Sequence, residues 1–157
     1  MWTNEDTVGA VPVTVHWQVA QAGLDDEQVA ATVEAALAHG GRAGIEVNVI
    51  LVDEPTLTEL HERFLDDPTP TDVMSFDLGE EGGGPAGEVY VSVDCARTVA
   101  AERGVTHARE LALYLVHGVL HLCGMDDHEP DDRRQMRRAE SAVLRELGFA
   151  DDPGRHD

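Results

Sequence analysis

One segment concentrates residues that could do chemistry: His117-Gly118-Val119-Leu120-His121-Leu122-Cys123-Gly124-Met125-Asp126-Asp127-His128. Glu110 to Leu122 is mostly apolar and reads as a helix, so two histidines in it need a reason. Positions four apart share a helix face with Cβ atoms about 5–6 Å apart, so His117 and His121 can reach one metal ion. Zinc accepts neutral imidazole nitrogens at about 2.0–2.1 Å in a tetrahedral set. Gly124 lets the chain turn back and offer Asp127 or His128 as a third ligand. Three protein ligands leave a position for water, which zinc acidifies to a pKa of about 7, the layout of a catalytic site. Two histidines alone would more often be hydrogen-bonded core residues. The glycine turn and the Asp126-Asp127-His128 cluster at ligand spacing favour the metal. If Asp127 binds it, His128 is free to shuttle protons beside it. Cys123 lies off the ligand face and reads as core filler. Glu110, two turns before His117, is roughly 10 Å away along the helix. That predicts a supporting or helix-surface role rather than ligation.

The elements that must position these residues follow from periodicity. Residues 11–19 alternate like a half-buried strand, and residues 44–52 do so again, with Ile45, Val47, Val49 and Leu51 on one side. Leu24 to His39 reads as a helix with Asp25, Asp26 and Glu27 in its first turn and Gly40-Gly41 as its stop. Pro55 opens a short helix carrying Leu57, Leu60 and Phe64, which Asp66-Asp67-Pro68 ends. Val73–Leu78 and Glu88–Val93 read as strands joined by the glycine-rich stretch Gly79–Gly87, a hairpin connection without the lysine and helix of a phosphate loop. Asp94 is placed to cap a helix that Gly104 closes, and Thr106 to cap the one that carries the histidines. Glu129-Pro130 starts a last helix with Met136, Val143, Leu144 and Leu147 inward and Gly148 as its stop. Residues 150–157 read as a frayed tail. This order predicts an α+β fold, residues 1–157 forming one domain with helices packed on a small mixed sheet.

The chain has 157 residues and 42% hydrophobic content, enough for a core. Its two cysteines do not suggest a disulfide scaffold, no apolar run reaches membrane length, and the N-terminus lacks a signal-peptide pattern. The expectation is a soluble, cytoplasmic protein. A formal charge of −20 argues against tight, nonspecific nucleic-acid binding. The basic residues are all arginines, and Arg133, Arg134, Arg137 and Arg138 form one strip directly after the histidine segment.

HGVLHLCGMDDHE resembles the HGxLHLxGxDH signature of the YbeY family, bacterial metal-dependent endoribonucleases of ribosomal RNA maturation. Leu60–Leu65 with Pro70–Phe76 is similar to the family's LNxxYR…PTDVLSF block, Gly87–Ser92 to its GDIxIS strand, and Arg109-Glu110-Leu111 to its REL lead-in. The blocks run in order from about residue 45 to 147. The resemblance implies cleavage of single-stranded ribosomal RNA by one zinc ion, with ribosome or ribosomal-protein partners and neither membrane nor DNA. It implies that RNA lies between the sheet and the metal helix, where Thr71, Asp72 and Ser75 could line the cleft. The third histidine of the family falls in register on Asp127, with His128 one residue later. Asp127 is preferred as a ligand by register. Leu65 stands where the family commonly has an arginine. Arg63, Arg133 and Arg137 are the candidates for a cation that stabilises charge on phosphorus.

Two other readings are consistent with the residues. HxxxHxxGxxD matches the ligand skeleton of metzincin-like peptidases, but Gly118 stands where those enzymes place a glutamate base. A ribosome-associated binding factor with a structural metal is the other. His16, His39, His61, His107 and His156 show no ligand spacing and read as structural or surface residues.

Overall fold

Four strands and five helices follow one another in the computed structural model, which describes residues 12–69 and 71–150. They are β1 (Val13–Trp17), α1 (Asp26–His39), β2 (Val47–Val52), α2 (Glu54–Leu65), β3 (Val73–Asp77), β4 (Gly87–Ser92), α3 (Val93–Arg103), α4 (His107–Leu122) and α5 (Pro130–Glu146). The sheet order is β1-β2-β4-β3. β1 and β4 flank β2 in parallel, and β3 returns antiparallel on β4 as the hairpin pattern predicts. The fold is α+β with one mixed sheet. The frayed-tail expectation and His156 lie outside the described residues.

β2 differs from the one-sided strand its alternation suggests. Val47, Val49 and Leu51 enter the main core, while Ile50 and Val52 are also buried, with Leu57 of α2 and Met74 of β3. A central parallel strand is covered on both faces, so its apolar residues run almost continuously. Helices α1, α4 and α5 pack together around the main core, and α2 packs on β3 and β4. Among the described residues, no helix is long and apolar enough to cross a membrane.

α4 is buried almost all round, which explains its lack of a polar face. Thr106 caps it by accepting the Arg109 N–H at 3.1 Å. The expected cap of α3 is shifted: Ser92, not Asp94, holds the cap position, and its Oγ accepts the Cys95 N–H at 3.1 Å. Asp94 also accepts that N–H, and with the same Oδ1 takes the Glu54 N–H at 2.8 Å. It thus ties the start of α2 to that of α3, a non-local contact that sequence spacing does not reveal.

Gly118 lets α4 lie directly on the sheet. A Cβ there would fall 2.8 Å from Val73 Cγ2 and Val89 Cγ1 and 3.0 Å from Ser75 Oγ. Ser75 uses this closeness, donating its hydroxyl to the Gly118 carbonyl at 2.7 Å. Gly118→Ala gains about 1 kcal/mol of helix propensity, but overpacking against two valines costs about 1–3 kcal/mol. The expected result is a net loss of stability, read as a lower denaturant midpoint with an unchanged slope. A higher midpoint would contradict this packing.

Candidate metal centre

The four-residue spacing works as predicted: the rings of His117 and His121 come together, with their Nε2 atoms 3.0 Å apart. After α4 the chain reverses at Gly124, whose φ of +93° is easy only for glycine. Gly124 N–H reaches the His121 carbonyl and Met125 N–H the Leu120 carbonyl, both at 3.0 Å. The loop then brings the Asp127 carboxylate back, with Oδ2 3.4 Å from His117 Nε2 and Oδ1 3.7 Å from His121 Nε2.

This loop holds Asp127 and His128 differently. Asp126 accepts the N–H groups of both Asp127 and His128, at 2.7 and 3.3 Å, and Arg133 of α5 donates to the His128 carbonyl at 2.8 Å. So held, Asp127 turns in towards the histidines. The His128 side chain is 84% exposed and its ring faces Asp126. His117, His121 and Asp127 therefore form one group of possible ligands, and His128 groups instead with Asp126 and Asp127 at the surface.

The three residues fit a zinc ion. Each histidine has its Nδ1 occupied: His117 Nδ1 lies 2.5 Å from Glu140 Oε2, and His121 Nδ1 lies 3.0 Å from the Met125 carbonyl. Both partners are acceptors, so each Nδ1 carries the proton, and both Nε2 lone pairs face the same point together with a carboxylate oxygen. Such an arrangement calls for a cation. Tetrahedral ligands about 2.0–2.1 Å from zinc stand about 3.3 Å from one another. The three observed separations bracket that value.

Without metal, a proton takes the place of that cation. Burial pulls the His117 pKa down, but the Glu140 hydrogen bond and the charges of Glu140, Asp127 and Asp72 outweigh it, leaving the pKa above the ordinary histidine value. A raised folded pKa means that the stabilisation is complete below the unfolded value, about 6.5, and is lost as pH rises through the folded value. Metal-free wild type is therefore expected to exceed His117→Asn in melting temperature by more at pH 5.5 than at pH 8.5. Metal and proton compete for the site, so metal affinity should fall over the range in which His117 takes up its proton. A melting difference that grows with pH would refute the assignment.

Glu140 is the site residue that sequence inspection missed. It is 3% exposed on the inward face of α5, one turn after Met136 and one before Leu144. An acidic residue in register with that apolar stripe was the available signal. A carboxylate behind a ligating imidazole sets its tautomer and raises its basicity.

A cavity of about 400 Å³ opens beside His117, lined by one stripe from each of α3, α4 and α5 and by Asp72 and Val73 at the start of β3. It lies along α4, bounded mainly by the helices, with the start of β3 contributing Asp72 and Val73. Asp72 lines it, and burial pushes its carboxyl pKa up, only partly offset by hydrogen bonds with backbone N–H groups and by the His117 charge. Ser75 is engaged with Gly118, and Thr71 Oγ1 donates to the Val73 carbonyl at 3.2 Å. Arg133 and Arg137 line the cavity. Arg63 instead pairs with Glu59 on the exposed side of α2, and Leu65 is 59% exposed. Arg134 pairs with Asp131, away from the cavity lining. Glu110 is no helix-surface residue: it is 1% exposed, lines the cavity and lies 3.5 Å from Arg103. Of the remaining histidines, His16 and His39 are exposed, while His61 and His107 hydrogen-bond the carbonyls of Thr69 and Val93.

Comparison with known proteins places the chain in a family. The profile described as Endoribonuclease YbeY matches residues 14–148. A protein of that name from Chlorobium luteolum is 34% identical over 124 residues, 79% of this chain and 90% of the relative. Those from Beutenbergia cavernae and Mycobacterium marinum are 39% and 40% identical, over 58% and 66% of this chain. The matches to these two span 67% and 64% of the relatives' lengths. The solution structure of TM1509 from Thermotoga maritima superposes with a TM-score of 0.59 at 26% identity, covering 92% of this chain and 99% of that one.

Proposed function

Because the chain belongs to the Endoribonuclease YbeY family, we propose that it is a single-domain, zinc-dependent endoribonuclease that cleaves single-stranded regions of ribosomal RNA. The observation that carries the zinc assignment is the convergence of two Nε2 lone pairs and the Asp127 carboxylate on one point. His117, His121 and Asp127 would hold the ion. When bound, zinc supplies a Lewis acid for a phosphoryl oxygen and lowers the pKa of water to about 7.

The chain's own residues divide the remaining work. Glu140 keeps the His117 Nδ1 proton in place and so keeps Nε2 aimed at the ion. Arg133 and Arg137, on the cavity wall beside His117, offer cations to a phosphodiester and to its neighbour along the strand. Asp72 lines the same cavity, and its raised pKa suits it to take up and return a proton. The acidic surface elsewhere repels RNA that is not aligned with these arginines, which favours selective over adhesive binding. Partners on the ribosome would supply the affinity that this charge withholds. The peptidase alternative loses support at Gly118, since the glutamate base of those enzymes would have to occupy space filled by Val73 and Val89.

The test is cleavage of a labelled single-stranded RNA by protein stripped with a chelator and reloaded with zinc, magnesium or manganese. Zinc should restore cleavage, and annealing the RNA to its complement should suppress it. No cutting by folded, zinc-loaded protein would overturn the endoribonuclease reading and favour a binding factor. Equal cutting of the duplex would overturn the strand preference, and restoration only by magnesium or manganese would overturn zinc.

A further inference from the structure

The residues that line the cavity include Glu110, two turns before His117 on α4 and about 10 Å away at 1.5 Å per residue. Val99 of α3, Leu113 of α4 and Met136 of α5 give its lining apolar surface among polar groups that include Glu110 and Arg103. Glu110 is buried, its Oε2 has one long contact to Arg103 at 3.5 Å, and its Oε1 has no hydrogen-bond partner among the described residues. Among the described residues the nearby Tyr114 hydroxyl meets the Cys95 sulfur, at 4.0 Å. A buried carboxylate oxygen without a donor is costly, and each such group in a folded protein calls for an explanation.

We propose that the cavity beside Glu110 is a nucleobase subsite that takes guanine from the RNA strand held at the metal centre. The proposal rests on the reading of the chain as an enzyme of single-stranded RNA. Unpaired bases are recognised by insertion between flat or apolar walls and by hydrogen bonds along their Watson–Crick edge. On that edge guanine alone presents two neighbouring donors, the ring N1–H and the exocyclic N2 amino group, beside the O6 acceptor. The Glu110 carboxylate matches the two donors, and the Arg103 guanidinium, already beside it, matches O6. Adenine and cytosine each set one amino donor against a ring acceptor that would face the carboxylate. Uracil sets its single N–H between two carbonyls. Entry of the base replaces the long Arg103 contact with paired hydrogen bonds and supplies the partner that Oε1 lacks. The separation of Glu110 from His117 places the recognised base next to the cleaved phosphodiester rather than on it.

Guanosine and inosine differ in the N2 amino group alone, so they isolate the contact. Two labelled pentanucleotides, oligouridine with a central guanosine or a central inosine, are titrated with the protein in chelator and followed by fluorescence anisotropy. The guanosine oligomer should bind about tenfold more tightly, the worth of one hydrogen bond to a charged group. Glu110→Gln should bind the two equally. With zinc-loaded wild type, cuts in a longer RNA should fall at a constant offset from guanosines and fade when inosine replaces them. Equal binding of the two oligomers by wild type, or no binding of either, overturns the subsite. Preference retained in a folded Glu110→Gln overturns the assignment to Glu110. If that variant does not fold, the wild-type comparison still decides. Guanosine preference without cleavage of any RNA would leave the subsite standing and refute the endoribonuclease reading. Cleavage without the preference would do the reverse.

Discussion

Asp127→Ala is expected to empty the metal centre and to lower RNA cleavage by at least about a hundredfold, while His128→Ala leaves both nearly intact. Replacing a residue behind a ligand costs about 10–100-fold in metal affinity or activity, so losing one ligand of three should cost more. Asp127 provides the carboxylate that faces both imidazoles, at 3.4 and 3.7 Å, and nothing else in the described loop takes that place. His128 contributes its backbone to the loop, through its N–H and carbonyl, and its exposed ring only pairs with Asp126. A contact of that kind is worth about 0–1 kcal/mol, and alanine keeps both backbone bonds. Metal content by atomic absorption at matched protein concentration, followed by initial rates on one RNA, separates the two variants. Equal metal content would mean that the loop offers either residue to the ion.

Glu140→Ala should have the next largest effect, although Glu140 is no ligand. Its removal frees the Nδ1 of a largely buried His117, which is then able to change tautomer and turn its Nε2 away. Metal affinity should fall about 10–100-fold. Glu140→Gln retains an acceptor oxygen and should recover much of that loss. Competition with a chromophoric chelator measures the affinity. At saturating zinc the alanine variant should regain most of its kcat, because the residue positions a ligand and does not touch substrate. Unchanged affinity would show that α4 alone sets the His117 ring.

Much of this site can be read from local sequence because its two histidines obey a local rule. The backbone geometry of a helix alone puts His117 and His121 on one face, whatever the helix packs against. Gly124 is similarly legible, since a reversal after a helix requires a positive φ that glycine readily adopts. The strands, the hairpin and most helix limits follow from short-range periodicity and caps. The errors share a different character. Asp94 reads as a cap because it stands at the right distance from the helix, but Ser92 takes the position and Asp94 bridges to α2. Ile50 and Val52 read as the solvent side of β2, but α2 covers them.

The sequence by itself determined that two imidazoles meet at the end of an apolar helix and that a turn follows to bring an acidic or imidazole side chain back beside them. Spacings within one element and glycine's backbone freedom carry that information over a few residues. Only the tertiary structure decided that Asp127 turns in and His128 out, that Glu140 stands behind His117, and that Glu110 lines a cavity instead of facing water. Those outcomes depend on how α3, α4 and α5 cross and on which side Gly118 presses α4 to the sheet. Such contacts join residues far apart in the chain, and their geometry comes from the packing of whole side-chain surfaces, which no local spacing encodes.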